Sequence, residues 1–255
     1  YIKNNPFALE SEWVYCENKR QEPLFTEEEM AKYAERNDKA VFIIGRQAGE
    51  AYDCRAIKGD YYLSDREETT IKYLTKYFGK VAVLINGGNI IDAAWIKKYS
   101  VGTVAYIWQG GQEGGNGTVD MLTGKNPPSG RLADTIAPIE DYPSYGCFGD
   151  ETENIHREDI FVGYRYFETF KPNSVIYPFG YGLNYTKFSY ETTDIHKRSD
   201  IISIKVKVKN TGDYCGKNVI QIYYSTPSDK IKTPVKQLIA YKKTENLKPN
   251  DEQTL

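Results

Sequence analysis

At 255 residues, 40% of them hydrophobic, the chain has material for one large or two modest domains with a real core. A net charge of -2 without a basic stripe argues against nucleic acid as a partner. No apolar run approaches the roughly 18 residues of a membrane span, and no signal-peptide pattern opens the chain.

Tyr1 in place of methionine suggests a chain that starts mid-sequence. The four cysteines, Cys16, Cys54, Cys147 and Cys215, lack Cys-x-x-Cys spacing and read as reduced thiols of a cytoplasmic protein, with no metal or cofactor expected. The 22 tyrosines, many between 142 and 190, would suit sugar stacking, but packing with a polar tip accounts for most of them.

Residues 1–25 are polar and irregular and read as a tail packed across another surface. Thr26 and Glu29 form a capping box, which predicts a helix to about Asn37. Ala40–Ile44 is apolar, β-rich and too short for a helix, so it reads as a buried strand. It breaks at Gly45 into a loop carrying Glu50, Asp53, Arg55, Lys58 and Asp60. A second capping box, Ser64 with Glu67, opens a helix with Ile71, Leu74 and Phe78 on one face, ending near Gly79. Val81–Ile85 is the next buried strand. Asn86–Asn89 turns it into a helix over Ile90–Tyr99, capped by Asn89. Val101–Trp108 is the third strand, and the glycine-rich Gln109–Gly115 leads into a helix that stops at Gly124.

Such alternation predicts an α/β fold: a mostly parallel sheet covered by helices on both faces. Its three strand-end loops emerge on one edge, the usual place for a site. Only the first, 45–63, carries several ionisable side chains. The glycine-rich loops 86–89 and 109–115 could cradle phosphate, but they match no nucleotide fingerprint, and tight packing explains them more simply. Glu113 reads as a helix-dipole partner. Asp92 and Asp120 are placed inside helices, and His156 and His196 are read as isolated, without acidic partners.

Asn126–Leu132 is turn chemistry with a short strand expected after it. Residues 138–184 form a long connection rich in proline and tyrosine, of the kind that wraps another surface. From Ile201 the pattern changes to Ile202, Ile204, Val206 and Val208 alternating with polar residues, a strand with one wet face. Strands follow at 219–225, 235–242 and after Glu252. They predict a partial antiparallel β-sandwich from about residue 188, with too few strands to close two sheets. The expected domains are 1–137 (part of an α/β sandwich), 138–187 (connection) and 188–255 (a truncated β-sandwich).

Six stretches together resemble the family 3 glycoside hydrolases, the retaining β-glucosidases and β-xylosidases. They are Gly49-Glu-Ala-Tyr-Asp53, Lys58-Gly-Asp-Tyr-Tyr-Leu-Ser64, Trp108-Gln-Gly-Gly-Gln-Glu-Gly114, Asn126-Pro-Pro-Ser-Gly-Arg-Leu132, Phe161-Val-Gly-Tyr-Arg-Tyr-Phe167 and Tyr177-Pro-Phe-Gly-Tyr-Gly-Leu-Asn-Tyr-Thr-Lys-Phe188. They stand in the family's order from about residue 26 onward. The resemblance implies an α/β sandwich followed by a fibronectin III-like domain.

It also implies exo-hydrolysis of terminal β-linked glucose or xylose from a β-glucoside or oligosaccharide. The family's nucleophilic aspartate lies on a (β/α)8 barrel, and this chain has neither its Ser-Asp-Trp type motif nor a barrel-length segment. The general acid/base is the glutamate of a Ser-Gly-Glu-Gly-x-Asp-Arg type loop, and Glu50 occupies that position. Ala48 and Ala51 replace the loop's serine and second glycine, and Cys54 stands where arginine is usual, beside Arg55.

Arg46, Tyr52, Asp53 and Arg55 are the expected substrate contacts. The chain alone is expected to be inactive, and a homo-oligomer is compatible with the pattern. The competing readings are a non-catalytic carbohydrate-binding or structural module, and a flavodoxin-like module that binds small molecules through its glycine loops.

Overall fold

The computed structural model describes residues 23–46, 54–147, 152–153, 155–227 and 231–255. The expected contacts Tyr52 and Asp53, the expected acid/base Glu50, and the tail before Pro23 lie outside the described residues. In chain order the elements are α1 (Glu27–Ala34), β1 (Lys39–Gly45), α2 (Asp65–Tyr77), β2 (Lys80–Asn86), α3 (Ala94–Lys98), β3 (Thr103–Tyr106), α4 (Gly114–Thr123), α5 (Tyr164–Phe170), β4 (Phe188–Arg198), β5 (Ile201–Asn210), β6 (Val219–Tyr224), β7 (Gln237–Lys243) and β8 (Glu252–Thr254). They form two compact units. The first takes the described residues up to Asn89 together with Tyr99–Trp108, and the second takes Ile90–Lys98 and the described residues from Gln109 onward.

The first unit is built on a parallel sheet in the order β1-β2-β3. Lys39 is paired with Lys80 and Ile44 with Ile85, and Ala82 is paired with Thr103. Ile44, Val83, Leu84 and Ile85 are buried along it, and Ile71 and Leu74 of α2 are buried as their helical spacing predicts. Both capping boxes form. The Thr26 hydroxyl accepts from Glu29 N–H while the Glu29 carboxylate accepts from Thr26 N–H, and Ser64 and Glu67 do the same. Helix α1 stops at Ala34, short of Asn37. Helix α2 ends on Phe78 in extended backbone rather than on a left-handed glycine. Gly79 serves a different purpose: a Cβ there would sit 2.2 Å from Asp38 Oδ1.

In the second unit, the helix expected from Ile90 begins only at Ala94. Ile91 and Ala93 are both buried, the two-residue period of extended chain. Asp92 is therefore not helical; its carbonyl accepts from the Trp95 indole N–H at 2.7 Å. Asp120 does lie in α4, paired with Lys125 at 3.0 Å. Gly124 ends α4 in left-handed backbone, φ 79°. The strand expected after Leu132 is reduced to main-chain bonds from Leu132 to Tyr181 and from Ile136 to Tyr177.

The 138–184 connection is more structured than its composition suggests. It contains α5, with Phe167 fully buried and in edge-on contact with Tyr142 at 4.9 Å. Two antiparallel sheets follow, β4-β5-β8 and β6-β7. Val206, Val208 and Leu247 form their shared core, with Phe188, Ile204, Ile220 and Leu255 against it. A cleft of about 560 Å³ remains between them, lined by Tyr190, Ile195, Ile204, Val206, Ile220 and Ile222. A partial β-sandwich is thus present. His196 is not isolated: its Nε2 lies 3.0 Å from Asp194 on the same strand.

Candidate active site

The site is read from the carboxyl end of β1. Past Gly45, Arg46 N–H donates to Asn86 O at 2.8 Å, which carries the β1–β2 ladder one residue beyond the strand. Gly87 makes room for this. A Cβ there would come within 2.8 Å of the Arg46 Cβ. At the third strand end a Cβ on Gly110 would lie 2.7 Å from the Gly114 Cα. These glycines permit close backbone approach, in line with the packing reading of both loops.

The Arg46 side chain is buried, 8% exposed, and faces Glu67, 3% exposed. The pair is bidentate: Nη1 to Oε1 at 2.6 Å and Nη2 to Oε2 at 2.7 Å. Nε donates to Asp60 O at 2.7 Å, Nη1 also to Gly45 O at 2.8 Å, and Nη2 to Tyr62 O at 3.4 Å. A guanidinium has five N–H donors, and these five bonds account for all of them. No donor is left for a sugar hydroxyl, so the expected substrate contact at Arg46 gives way to a role inside the protein.

Glu67 works in two directions. Its Oε2 also accepts from Ser64 N–H at 2.7 Å, closing the capping box of α2. One carboxylate therefore joins the start of α2 to the end of β1.

The outgoing half of the loop is folded on Asp60. The Asp60 carboxylate accepts from Arg55 N–H at 2.9 Å and approaches Arg55 Nε at 3.4 Å. It also accepts from Cys54. Burial, and next this bond, push the Cys54 thiol up to about 12. Gly59, at φ 83°, turns the chain so that its N–H reaches Tyr62 O at 2.9 Å. Tyr61 and Leu63 are buried and anchor the turn. The Arg55 side chain is half exposed, leaving it the described candidate that can reach a ligand. Among the described residues no cluster of histidine, cysteine and carboxylate is arranged to hold a metal ion.

Two features escaped the sequence reading. Glu67 was visible only as a cap, although a buried arginine near a capping glutamate is the available signal for the ion pair. Trp108, at the end of β3, holds φ 52° with its ring 5.0 Å from Tyr106. Left-handed backbone is rare for a bulky residue. Glu113 stands at the N-cap of α4 without bonding its backbone and accepts from Asn116 Nδ2 at 2.6 Å.

Comparison with known proteins places these features in context. A model described as the glycosyl hydrolase family 3 C-terminal domain matches residues 18–185, and a fibronectin type III-like model matches 218–255. A β-glucosidase of Ruminococcus albus is 42% identical over the whole chain, which covers 27% of that protein. β-Glucosidase A of Butyrivibrio fibrisolvens is 37% identical over 91% of the chain and 33% of its own length. The chain thus spans about a quarter to a third of these relatives. Among solved structures, a β-glucosidase from Paenibacillus barengoltzii superposes with a TM-score of 0.88 at 42% identity, over 92% of this chain and 26% of that one. β-Glucosidase 3B from Thermotoga neapolitana, solved in complex with glucose, gives 0.85 at 38% identity, over 91% and 33%.

Proposed function

Because the chain belongs to glycoside hydrolase family 3, we propose that it supplies the general acid/base to a retaining β-glycosidase that releases terminal β-linked glucose. The similarity to β-glucosidases over nearly the whole chain carries this reading. Glucose is preferred to xylose because relatives named β-glucosidase, one solved with glucose, are those it resembles.

A retaining enzyme needs two carboxylates about 5 Å apart. One attacks the anomeric carbon, and the other protonates the departing oxygen and then deprotonates the incoming water. In this reading Glu50 is the second. The first, an aspartate, belongs to a barrel in the part of the enzyme that this chain does not span. An acid that must hold its proton near neutral pH needs burial or a nearby negative charge, and Asp53, three residues on, is the nearest carboxylate in sequence. Arg55 and Tyr52 are the proposed sugar contacts.

The test uses the full-length enzyme. Glu50→Gln should slow glycosides with poor leaving groups severely and spare the glycosylation step for dinitrophenyl glucoside, which needs little acid help. Azide should rescue Glu50→Ala by attacking the accumulated glycosyl-enzyme, giving a β-glycosyl azide. Near-normal rates for Glu50→Ala on poor and good leaving groups alike would refute the assignment.

A further inference from the structure

We infer that Arg46 is the positioning residue of the acid/base loop, holding both ends of the segment that carries Glu50 on one guanidinium; this rests on the reading of Glu50 given above. Arg46 precedes Glu50 by four residues. Behind it, Nη1 and the main chain tie the loop's entry to Gly45 O and Asn86 O. Ahead, Nε and Nη2 take the main-chain carbonyls of Asp60 and Tyr62, on the loop's exit. Below, Glu67 fixes the guanidinium plane through two short bonds and is itself held by Ser64 N–H. Entry, exit and following helix thus converge on one rigid fork.

This requires arginine in particular. A lysine ammonium is a compact charge with three donors and cannot form the planar bidentate pair while also bridging two carbonyls. The glycine at 87 fits the same purpose, since any side chain there would displace Arg46. A general acid depends on placement to within a fraction of an ångström, and a misplacement of about 1 Å can cost on the order of 100-fold. Residues that lock such a group through their own packing therefore act on chemistry without touching substrate.

The experiment measures kcat/KM of the full-length enzyme, per titrated active site, for aryl β-glucosides spanning poor to very good leaving groups. Arg46→Lys and Glu67→Gln are compared with wild type and Glu50→Gln. Both positioning variants should lose about 10-fold or more on the poorest leaving group and less than about threefold on dinitrophenyl glucoside, which steepens the leaving-group dependence. Arg46→Lys added to Glu50→Gln should cost little more than Glu50→Gln alone, because the two act through one proton transfer.

A uniform loss across all leaving groups, or full additivity with Glu50→Gln, would overturn the inference. If Glu50→Gln itself fails to steepen the dependence, the acid/base reading falls, and the positioning role with it. If Glu50→Gln steepens it and the other two variants do not, only the positioning role falls. Glu67→Gln, nearly isosteric, keeps the test decisive should Arg46→Lys fold poorly.

Discussion

Removing the Glu67 side chain should destabilise the start of α2 out of proportion to its size. In Glu67→Ala the Arg46 guanidinium stays buried and loses its counter-charge, a change that typically costs about 3–5 kcal/mol. Ser64 N–H loses its acceptor as half of the capping box disappears, adding about 0.5–1 kcal/mol. Two terms act in the opposite direction. Alanine has a slightly better helix propensity, worth a few tenths of a kcal/mol, and the three carbonyls of Gly45, Asp60 and Tyr62 still accept from Arg46. The expected net loss is about 3–5 kcal/mol. Glu67→Gln keeps the shape and one acceptor oxygen, and should lose about half as much.

A whole-protein melting curve is the wrong measurement, because a multidomain protein need not unfold in two states. Native-state amide exchange in the full-length enzyme reads local opening directly. The probes are the α2 amides from Ile71 to Thr75, one to two turns beyond the substituted residue. Their opening free energy should fall by the amounts given, while amides of β5, in the other unit, stay unchanged. Arg46→Met should recover part of the Glu67→Ala loss when the two are combined, because it removes the stranded charge, giving a coupling of about 2 kcal/mol. A loss below about 1 kcal/mol in Glu67→Ala, or strict additivity with Arg46→Met, would show that the pair does not hold the loop to the helix.

Asn210, fully buried, accepts from Thr186 Oγ1 and Gly212 N–H and donates to the carbonyls of Tyr214 and Leu247; Asn210→Ala should cost about 3 kcal/mol, read by exchange of β5 amides, and an effect under about 1 kcal/mol would refute the network's role. Cys54 should alkylate far more slowly at pH 8 in the native enzyme than in denaturant, and equal rates would refute the burial argument. Its raised value also means that between about pH 9 and 12 the unfolded chain loses a proton that the native state keeps, so this thiol's contribution to stability should fall as pH rises through that window; a Cys54→Ala variant with the same alkaline stability loss would count against it. Gly182→Ala would place a Cβ 2.4 Å from Gly130 O, backbone that cannot swing aside, and should cost about 1–3 kcal/mol in β6 exchange, whereas wild-type protection would show that the contact relaxes freely.

What could be read in advance were the signals confined to neighbours in sequence. Both capping boxes are four-residue motifs that satisfy their own donors, and the strands of the first unit are β-branched runs bounded by glycines. Failures came where burial in three dimensions overrode the local pattern. Ile90 to Ala93 carries helix-compatible residues, yet burying Ile91 and Ala93 together requires extended chain. Helix α5, Tyr164 to Phe170, is rich in aromatic residues, with no cap to announce it, and it forms because Phe167 has a core position to fill. Strand β4 is exposed along most of its length, so it shows no apolar alternation. Asp194 and His196 form a pair because residues two apart share a strand face, a spacing that looks unremarkable in a chain with no strand assigned there. Arg46 was a charge on a loop, and five acceptors spread over twenty-odd residues decide what it does.

The clamp addresses a requirement that any divided active site faces. In the proposed reading, the nucleophile and the acid/base belong to different parts of one enzyme, yet must meet across about 5 Å. Each part can control only its own carboxylate, so precision has to be built into each loop separately. A long loop held by side-chain contacts alone would wander by more than the chemistry tolerates. Main-chain carbonyls are better anchors, because their positions are already set by the sheet and the turn. Arg46 binds three of them, and Glu67 prevents the guanidinium from turning between them. Tethering the loop through its backbone also leaves its side chains free to vary. That fits the departures at Ala48 and Ala51, where residues expected in the loop have been replaced around an unchanged Glu50.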